Sequence, residues 1–311
     1  IVCPGVLLLG EVVMAPEKVV PYFGTVEKPE CHLLYNVTTM ASTWHTVATK
    51  DVSLLRRQLD IISELPRDYV FQNYLRCHDD IGWGLDYEYL ENFGIQEVPH
   101  KKYLNDFLTG KYPDSFARGE LYNDDPRLGD ARLCGTTASL CGIERFGFEG
   151  NQEGVDRAVR YDITLHAFML SQSGIPVIYS GDEIGQVNDY SYKDDPEKSD
   201  DSRYLHRGKF DWKLAENRHD PATVQGKLFP VLDKLEHIRS SHGIFNSNVP
   251  IHTIDTWDNS ILAFVRENDE EKFIGIYNFS ENDKVAWINE EDVMYLSLIH
   301  ISEPTRRRGI S

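Results

Sequence analysis

The sequence predicts an α/β fold that contains half of a (β/α)8 TIM barrel, an inserted subdomain and a small antiparallel β domain. Apolar, strand-like runs alternate with helical patterns up to about residue 245. Two of these runs lead into acids: Val6–Gly10 is followed by Glu11, and Tyr69–Arg76 ends shortly before Asp79. Strands end in this way where they deliver functional groups to the C-terminal mouth of a barrel. Short strand-like runs separated by polar turns follow residue 245.

Residues 1–81 are predicted to form three barrel units. Pro16 stands where a first helical turn accepts proline, because the missing N–H has no partner there in any case. Apolar residues recur near a period of 3.6 over a long segment that we predict to be one helix. The predicted elements are, in order, strand Val6–Gly10, helix Pro16–Phe23, strand Cys31–Tyr35, helix Thr38–Glu64 and strand Tyr69–Arg76.

Residues 82–150 are too long for a connecting loop and are rich in Tyr, Gly, Asp and Pro, with a helical pattern at His100–Leu108. Long loops are uncommon unless they are functional, so we predict an inserted subdomain here. Its aromatic residues either stack on sugar rings or form the core of the insertion; they are Tyr87, Tyr89, Phe93 and Tyr103.

Residues 151–245 are predicted to contain the last barrel unit and closing helices. The predicted elements are helix Val155–Ser173, a buried strand over Gly174–Tyr179 and an amphipathic helix over Leu228–Ser240. Residues 246–295 predict a truncated antiparallel β domain. Its predicted strands are Pro250–Asp255, Ile261–Val265, Phe273–Tyr277 and Val285–Ile288. Residues 296–311 carry three successive arginines in an acidic chain, and we expect this tail to be non-native.

Composition narrows the range of partners. The 311 residues carry a formal net charge of −18, which argues against nucleic acid and against anionic membrane surfaces. The sequence contains no apolar run of the length needed to span a membrane. Five cysteines without a CxxC pair support neither a disulfide framework nor a zinc site. We expect a cytoplasmic protein with a neutral small-molecule substrate. Because the chain begins at Ile1, the sequence leaves open whether the protein has a signal peptide.

Paired carboxylates at strand ends indicate glycoside chemistry. Glu11 follows a strand of Val and Leu, and burial there would raise its pKa and suit it to donate a proton. Asp79 stands beside His78 and Arg76, whose positive charges would keep it ionised and suited to stabilise positive charge. A single acid of this kind more often caps a loop, but the recurrence favours catalysis.

Three segments occur in a characteristic order: Glu11, then His78-Asp79, then Gly181-Asp182-Glu183. With this order, residues 1–290 resemble the α-amylase superfamily of glycoside hydrolases. In that family the fifth barrel strand ends in the general acid, the seventh ends in a His-Asp pair, and the eighth leads into Gly-Asp-Glu. The resemblance therefore implies that this chain contains strands 5 to 8, the C-terminal half of the barrel.

Within the superfamily, the sequence is most similar to amylosucrase and the related sucrose hydrolases. The similarity rests on Asp80, on the long insertion with Gly129–Arg132, and on Lys198–Arg203. It implies that Glu11 and Asp79 are catalytic and that the other site residues bind substrate. Asp80 and Arg132 would hold the fructosyl unit, His78 would contact the sugar, and Arg203 would help to close the pocket beyond the glucosyl unit.

The resemblance implies a retaining enzyme that transfers glucose from sucrose to an α-glucan or another sugar acceptor, without a metal or organic cofactor. A sucrose hydrolase or another α-glucosidase is an alternative, and so is a non-catalytic carbohydrate-binding relative. The family's nucleophilic aspartate belongs to the fourth strand, so we expect this chain alone to be inactive. The acids after the eighth strand lack the spacing of calcium ligands and are expected to form a solvated loop with Lys198 and Arg203; they are Asp194, Asp195, Asp200 and Asp201.

Overall fold

The computed structural model describes residues 5–25, 27–125 and 129–289. The strands are β1 (Leu9–Gly10), β2 (Leu33–Tyr35), β3 (Val70–Asn73), β4 (Glu120–Tyr122), β5 (Arg132–Cys134), β6 (Ile175–Pro176), β7 (His252–Ile254), β8 (Ile261–Glu267) and β9 (Lys272–Asn278). The helices are α1 (Pro16–Val19), α2 (Val37–Thr49), α3 (Ser53–Glu64), α4 (Tyr87–Glu91), α5 (Glu97–Leu108), α6 (Thr137–Leu140), α7 (Ile143–Phe148), α8 (Gln152–Ser171), α9 (Trp212–Ala215) and α10 (Val224–Ser241). Short 3₁₀ helices follow at Val20–Phe23, Asp182–Ile184, Tyr190–Asp194, Ser202–His206, Glu216–His219 and Gly243–Phe245.

Four parallel strands form the main sheet in the order β1, β2, β3, β6. The register places Leu33 beside Leu9 and Val70 beside Leu33. Parallel neighbours that follow one another along the chain require helical crossovers, and this is the connectivity of consecutive β/α barrel units. The carboxyl ends of all four strands therefore lie at one edge of the sheet, as the sequence predicted.

The predicted single helix over Thr38–Glu64 is wrong, because the segment forms two helices, α2 and α3. Lys50 ends α2 in the left-handed region, with φ at 60°, and its N–H donates to the Thr46 carbonyl over 2.8 Å. Left-handed caps usually carry glycine, and a lysine in this position gives no sequence signal. The apolar period on either side of the break remained compatible with one helix.

The predicted burial of the Gly174–Tyr179 strand is also wrong. Ile175 and Val177 are exposed, and so are Leu7 and Leu8 beside β1. β6 and β1 are the two edges of the main sheet, and the described residues place no further strand beyond either of them. An apolar run predicts burial only if another element covers it, and that condition is tertiary.

The C-terminal residues form an antiparallel sheet, β7-β8-β9, in which Ile261 pairs with Asn278 and Glu267 with Lys272. It packs on α8, where the Phe168 and Tyr277 rings meet edge to face at 5.6 Å. Three of the four predicted strands are confirmed. The fourth, Val285–Ile288, is wrong, since these residues form no strand.

The 82–150 segment shares its core with the barrel helices. Trp83, Leu104 and Leu133 belong to the same buried cluster as Trp44 of α2. The predicted helix at His100–Leu108 is confirmed as α5. Of the four aromatic residues left open above, Tyr87, Tyr89 and Tyr103 pack against this core, whereas Phe93 is exposed.

Candidate active site

A cavity of about 250 Å³ lies at the carboxyl ends of β1 and β3. Glu11 directly follows β1, and the chain continues from β3 through Cys77 to Asp80. His78 Nε2 lies 3.7 Å from Glu11 Oε1. The polar lining includes four of the six predicted site residues: Glu11, Asp79, Asp80 and Arg132. The two others, His78 and Arg203, contact the lining acids Glu11 and Asp79.

Glu11 does not have the buried environment that the sequence suggested. Its side chain is 48% exposed, and the apolar residues before it are exposed as well. The ring of His78 is a polar neighbour of its carboxylate. The expected apolar wall around Glu11 is therefore wrong for the described residues.

Asp79 is held by an arginine that is distant in sequence. Arg203 Nη1 donates to Asp79 Oδ1 over 2.9 Å, and Arg207 Nη2 lies 3.8 Å from the same oxygen. Partial burial raises the pKa of Asp79, but hydrogen bonds from Arg203 and from Asp80 outweigh burial and lower it. The predicted ionised state agrees with this direction, although Arg203 supplies the cation and not the neighbouring Arg76.

Asp201 fixes the orientation of Arg203. The guanidinium donates through Nε and Nη2 to the two Asp201 oxygens, each over 2.9 Å. Its carbon lies 4.5 Å from the centroid of the Tyr122 ring. A bidentate pair with a planar stacking partner leaves the guanidinium little freedom. Nη1 is consequently directed at Asp79, and Asp201 acts on the site through Arg203.

Asp80 has the opposite electrostatic environment from its neighbour. Its side chain is 4% exposed, and Oδ2 lies 3.4 Å from Arg132 Nη1. Burial and the adjacent charge of Asp79 raise the pKa of Asp80, while Arg132 opposes the rise. Oδ1 is buried without a hydrogen-bond partner among the described residues. Two adjacent carboxyls with pKa values shifted in opposite directions can carry different protonation states.

Arg76 forms a buried anchor beneath the cavity. It pairs with Asp182 through Nε and Nη2, each at 2.9 Å from Oδ1. Thr137 Oγ1 donates to Asp182 Oδ2 over 3.0 Å, and Arg76 Nη1 donates to the His206 carbonyl over 3.1 Å. The Gly-Asp-Glu segment after β6 thus holds the end of β3 in place.

Sequence reasoning missed Arg207. Its Nε donates to the His78 carbonyl over 2.5 Å, so it holds the backbone just before Asp79, and its Nη2 approaches the Asp79 carboxylate. Arg207 directly follows the 3₁₀ helix Ser202–His206, and no sequence pattern places it beside Asp79. Lys101 also lines the cavity, and its Nζ lies 3.0 Å from Asp130 Oδ1.

Two of the four acids after β6 form the expected pairs with Lys198 and Arg203. Asp195 pairs with Lys198 at 2.6 Å, and Asp201 pairs with Arg203. Within the described ranges, no group of three or more His, Cys, Asp or Glu side chains is arranged to hold a metal ion. None of the helices described here is both long and apolar enough to cross a membrane.

Known proteins with similar sequences are sugar-active enzymes. The chain is 25% identical over 283 residues to glucosylglycerate phosphorylase of Escherichia coli K12, a match that covers 90% of this chain and 47% of that protein. It is 27% identical over 183 residues to trehalose synthase of Thermus thermophilus, a match that covers 58% of this chain and 15% of that protein. This chain thus spans about half the length of the first relative and less of the second. No protein-family model matches it.

Solved structures show the same fold. Sucrose 6F-phosphate phosphorylase from Thermoanaerobacter thermosaccharolyticum aligns with a TM-score of 0.59 at 18% identity, covering 88% of this chain and 47% of that one. An α-amylase from Geobacillus thermoleovorans, complexed with acarbose, aligns with a TM-score of 0.51 at 15% identity. The alignment covers 94% of this chain and 46% of that one. The described residues share the fold of these enzymes, and the similarities do not single out amylosucrase.

Proposed function

We propose that this chain belongs to a retaining α-glucosyl enzyme that cleaves sucrose and transfers the glucosyl unit to an α-glucan, as amylosucrase does. One observation carries the proposal: Glu11, Asp79 and Asp80 line a single cavity in which Arg203 keeps Asp79 ionised. Retaining glycosidases use carboxyl groups that flank the scissile bond. Because the chain spans about half of its first relative, the activity is that of the whole protein.

In this proposal Glu11 protonates the oxygen of the leaving fructosyl unit. Its carboxyl is half-exposed and lies 3.7 Å from His78 Nε2. Asp79 stabilises the oxocarbenium-like transition state. Its fixed negative charge attracts the positive charge that develops on the reacting carbon, and this attraction is stronger in the transition state than in the ground state. Arg203 keeps that charge present over the working pH range.

Asp80 and Arg132 are the proposed fructosyl contacts. An unpartnered buried acceptor costs on the order of 1–3 kcal/mol, so a sugar hydroxyl that donates to Asp80 Oδ1 would relieve this cost on binding. Arg132 is half-exposed beside it and has N–H groups for further hydroxyls. His78 would contact the glucosyl unit from the Glu11 side.

A phosphorylase is the second candidate. Two similar proteins are phosphorylases by name, glucosylglycerate phosphorylase and sucrose 6F-phosphate phosphorylase. Arg132 and Lys101 also line the cavity, where they pair with Asp80 and Asp130. The glucosyl unit would then pass to phosphate and yield glucose 1-phosphate.

The test is product analysis on the full-length protein, incubated with sucrose in the presence and absence of phosphate. We expect fructose and a growing α-glucan in both cases. Glucose 1-phosphate that forms only with phosphate would establish the phosphorylase. Free glucose as the main product would establish a sucrose hydrolase, and sugar binding without any turnover would establish a non-catalytic relative.

A further inference from the structure

His206 lies buried beside the candidate active site, and its side chain is only 3% exposed. It ends the 3₁₀ helix Ser202–His206, so it stands between Arg203 and Arg207 along the chain. These two arginines are the cations that approach Asp79. Residues three apart are stacked on one side of a 3₁₀ helix, so the placement of His206 also sets the placement of Arg203.

The ring and the backbone of His206 are bonded to different segments of the chain. Its Nδ1 accepts a hydrogen bond from the N–H of Gly135 over 3.0 Å. Gly135 directly follows β5, the strand that begins with Arg132. The His206 carbonyl accepts a hydrogen bond from Arg76 Nη1 over 3.1 Å. One residue thus connects the 82–150 segment with the buried anchor beneath the cavity.

The ring of His206 is neutral at working pH. Burial lowers its pKa to about 3, and the charges of Arg76 and Arg207 lower it as well, while the His78 backbone and Asp79 oppose the fall. A neutral imidazole that accepts at Nδ1 carries its proton on Nε2. Within the described residues Nε2 is buried and makes no hydrogen bond. The described part of the chain therefore fixes this ring through Nδ1.

The two arginines that flank His206 reach the same carboxylate oxygen. Arg203 Nη1 donates to Asp79 Oδ1 over 2.9 Å. Arg207 Nη2 lies 3.8 Å from that oxygen, and Arg207 Nε donates to the His78 carbonyl. An opposite charge within about 4–6 Å lowers the pKa of a carboxyl by about 1–3 units. The pKa of Asp79 therefore depends on the position of the short helix that places both cations.

We propose that His206 is a positioning residue for Asp79. Its ring, bonded to Gly135, holds the end of the 3₁₀ helix so that the two flanking arginines reach the Asp79 carboxylate. His206 itself takes no part in proton transfer. The link to turnover rests on the proposed function, because that function requires an ionised Asp79. The effect of His206 on the protonation of Asp79 does not depend on that function.

The test is carbodiimide labelling of the full-length protein as a function of pH. Carbodiimides react with protonated carboxyls, and tandem mass spectrometry of the labelled peptide separates Asp79 from Asp80. His206→Leu removes the acceptor for Gly135, and the pH at half-maximal labelling of Asp79 should rise by up to about one unit. His206→Asn keeps an acceptor oxygen near the position of Nδ1 and should restore the natural midpoint. His45→Leu is the matched control, because His45 is also 3% exposed and lies outside the candidate active site.

A labelling midpoint that stays at the natural value in folded His206→Leu would overturn the proposal, and so would an equal shift in His45→Leu. If His206→Leu fails to fold, His206→Gln decides in its place, because its amide reaches the Nε2 end of the ring and leaves Gly135 without an acceptor. With sucrose as substrate, the acid limb of the kcat/KM profile should move upward together with the midpoint. Labelling does not need turnover, so a shifted midpoint in a protein that does not cleave sucrose would refute the proposed function and support this inference.

Discussion

Two arginine–aspartate pairs join the end of β3 to the residues after β6, and they differ in burial. The Arg76 and Asp182 side chains are each 2% exposed, whereas Arg203 and Asp79 are 27% and 39% exposed. A buried pair contributes through the cost of leaving either partner alone, while an exposed pair is screened by solvent. The first pair therefore maintains the fold, and the second sets the charge of a functional group.

The largest expected effect is on stability at the buried pair. Arg76→Met leaves Asp182 uncompensated and should reduce the free energy of unfolding by about 3–5 kcal/mol. Arg203→Met should reduce it by less than about 1 kcal/mol. Urea unfolding of the full-length variants, followed by tryptophan fluorescence, measures both. Equal losses in the two variants would show that burial does not distinguish the pairs. If the double variant Arg76→Met/Asp182→Leu loses less stability than Arg76→Met, the uncompensated charge of Asp182 is the cause.

The next largest effect separates the roles of the two proposed catalytic acids. Asp79→Asn should lower kcat by on the order of 10²–10³ on both sucrose and α-glucosyl fluoride, because both transition states develop positive charge. Glu11→Gln should lower it by about 10²–10⁴ on sucrose only, since fluoride leaves without a proton. Steady-state rates on the two substrates decide. If Glu11→Gln loses as much on the fluoride as on sucrose, Glu11 is not the acid.

The smallest expected effect concerns Asp201, which acts through Arg203. The pKa of Asp79 is lowered and the carboxylate must be ionised, so activity is lost as pH falls through that pKa. Asp201→Asn should loosen Arg203 and raise the pKa of Asp79, which moves the acid limb of the kcat/KM profile upward by up to about one pH unit. Asp195→Asn, which removes a pair with Lys198, is the matched control and should not move it. A lower activity with an unchanged profile would reduce Asp201 to a structural role.

The comparison also shows where local sequence misleads. Arg76 stands three residues before Asp79, and adjacency suggested that it holds this acid. In the structure Arg76 donates hydrogen bonds to Asp182, which is 106 residues away in the sequence. Asp79 accepts a hydrogen bond from Arg203, which is 124 residues away. Both partners depend on how the residues after β6 pack against β3, and no spacing in the chain encodes that.

The resemblance to barrel enzymes implied the parallel strand order, and the sequence by itself determined the alternation of strands and helices, the small antiparallel sheet and the acids at the ends of β1 and β3. These follow from local apolar runs and their abrupt polar ends, which act over a few residues. Only the tertiary structure decided the break at Lys50, the exposure of Glu11 and of the edge strands, and the opposite pKa shifts of Asp79 and Asp80. Each of these depends on which groups cover or contact a side chain from distant parts of the chain, and burial and charge pairing are properties of that packing.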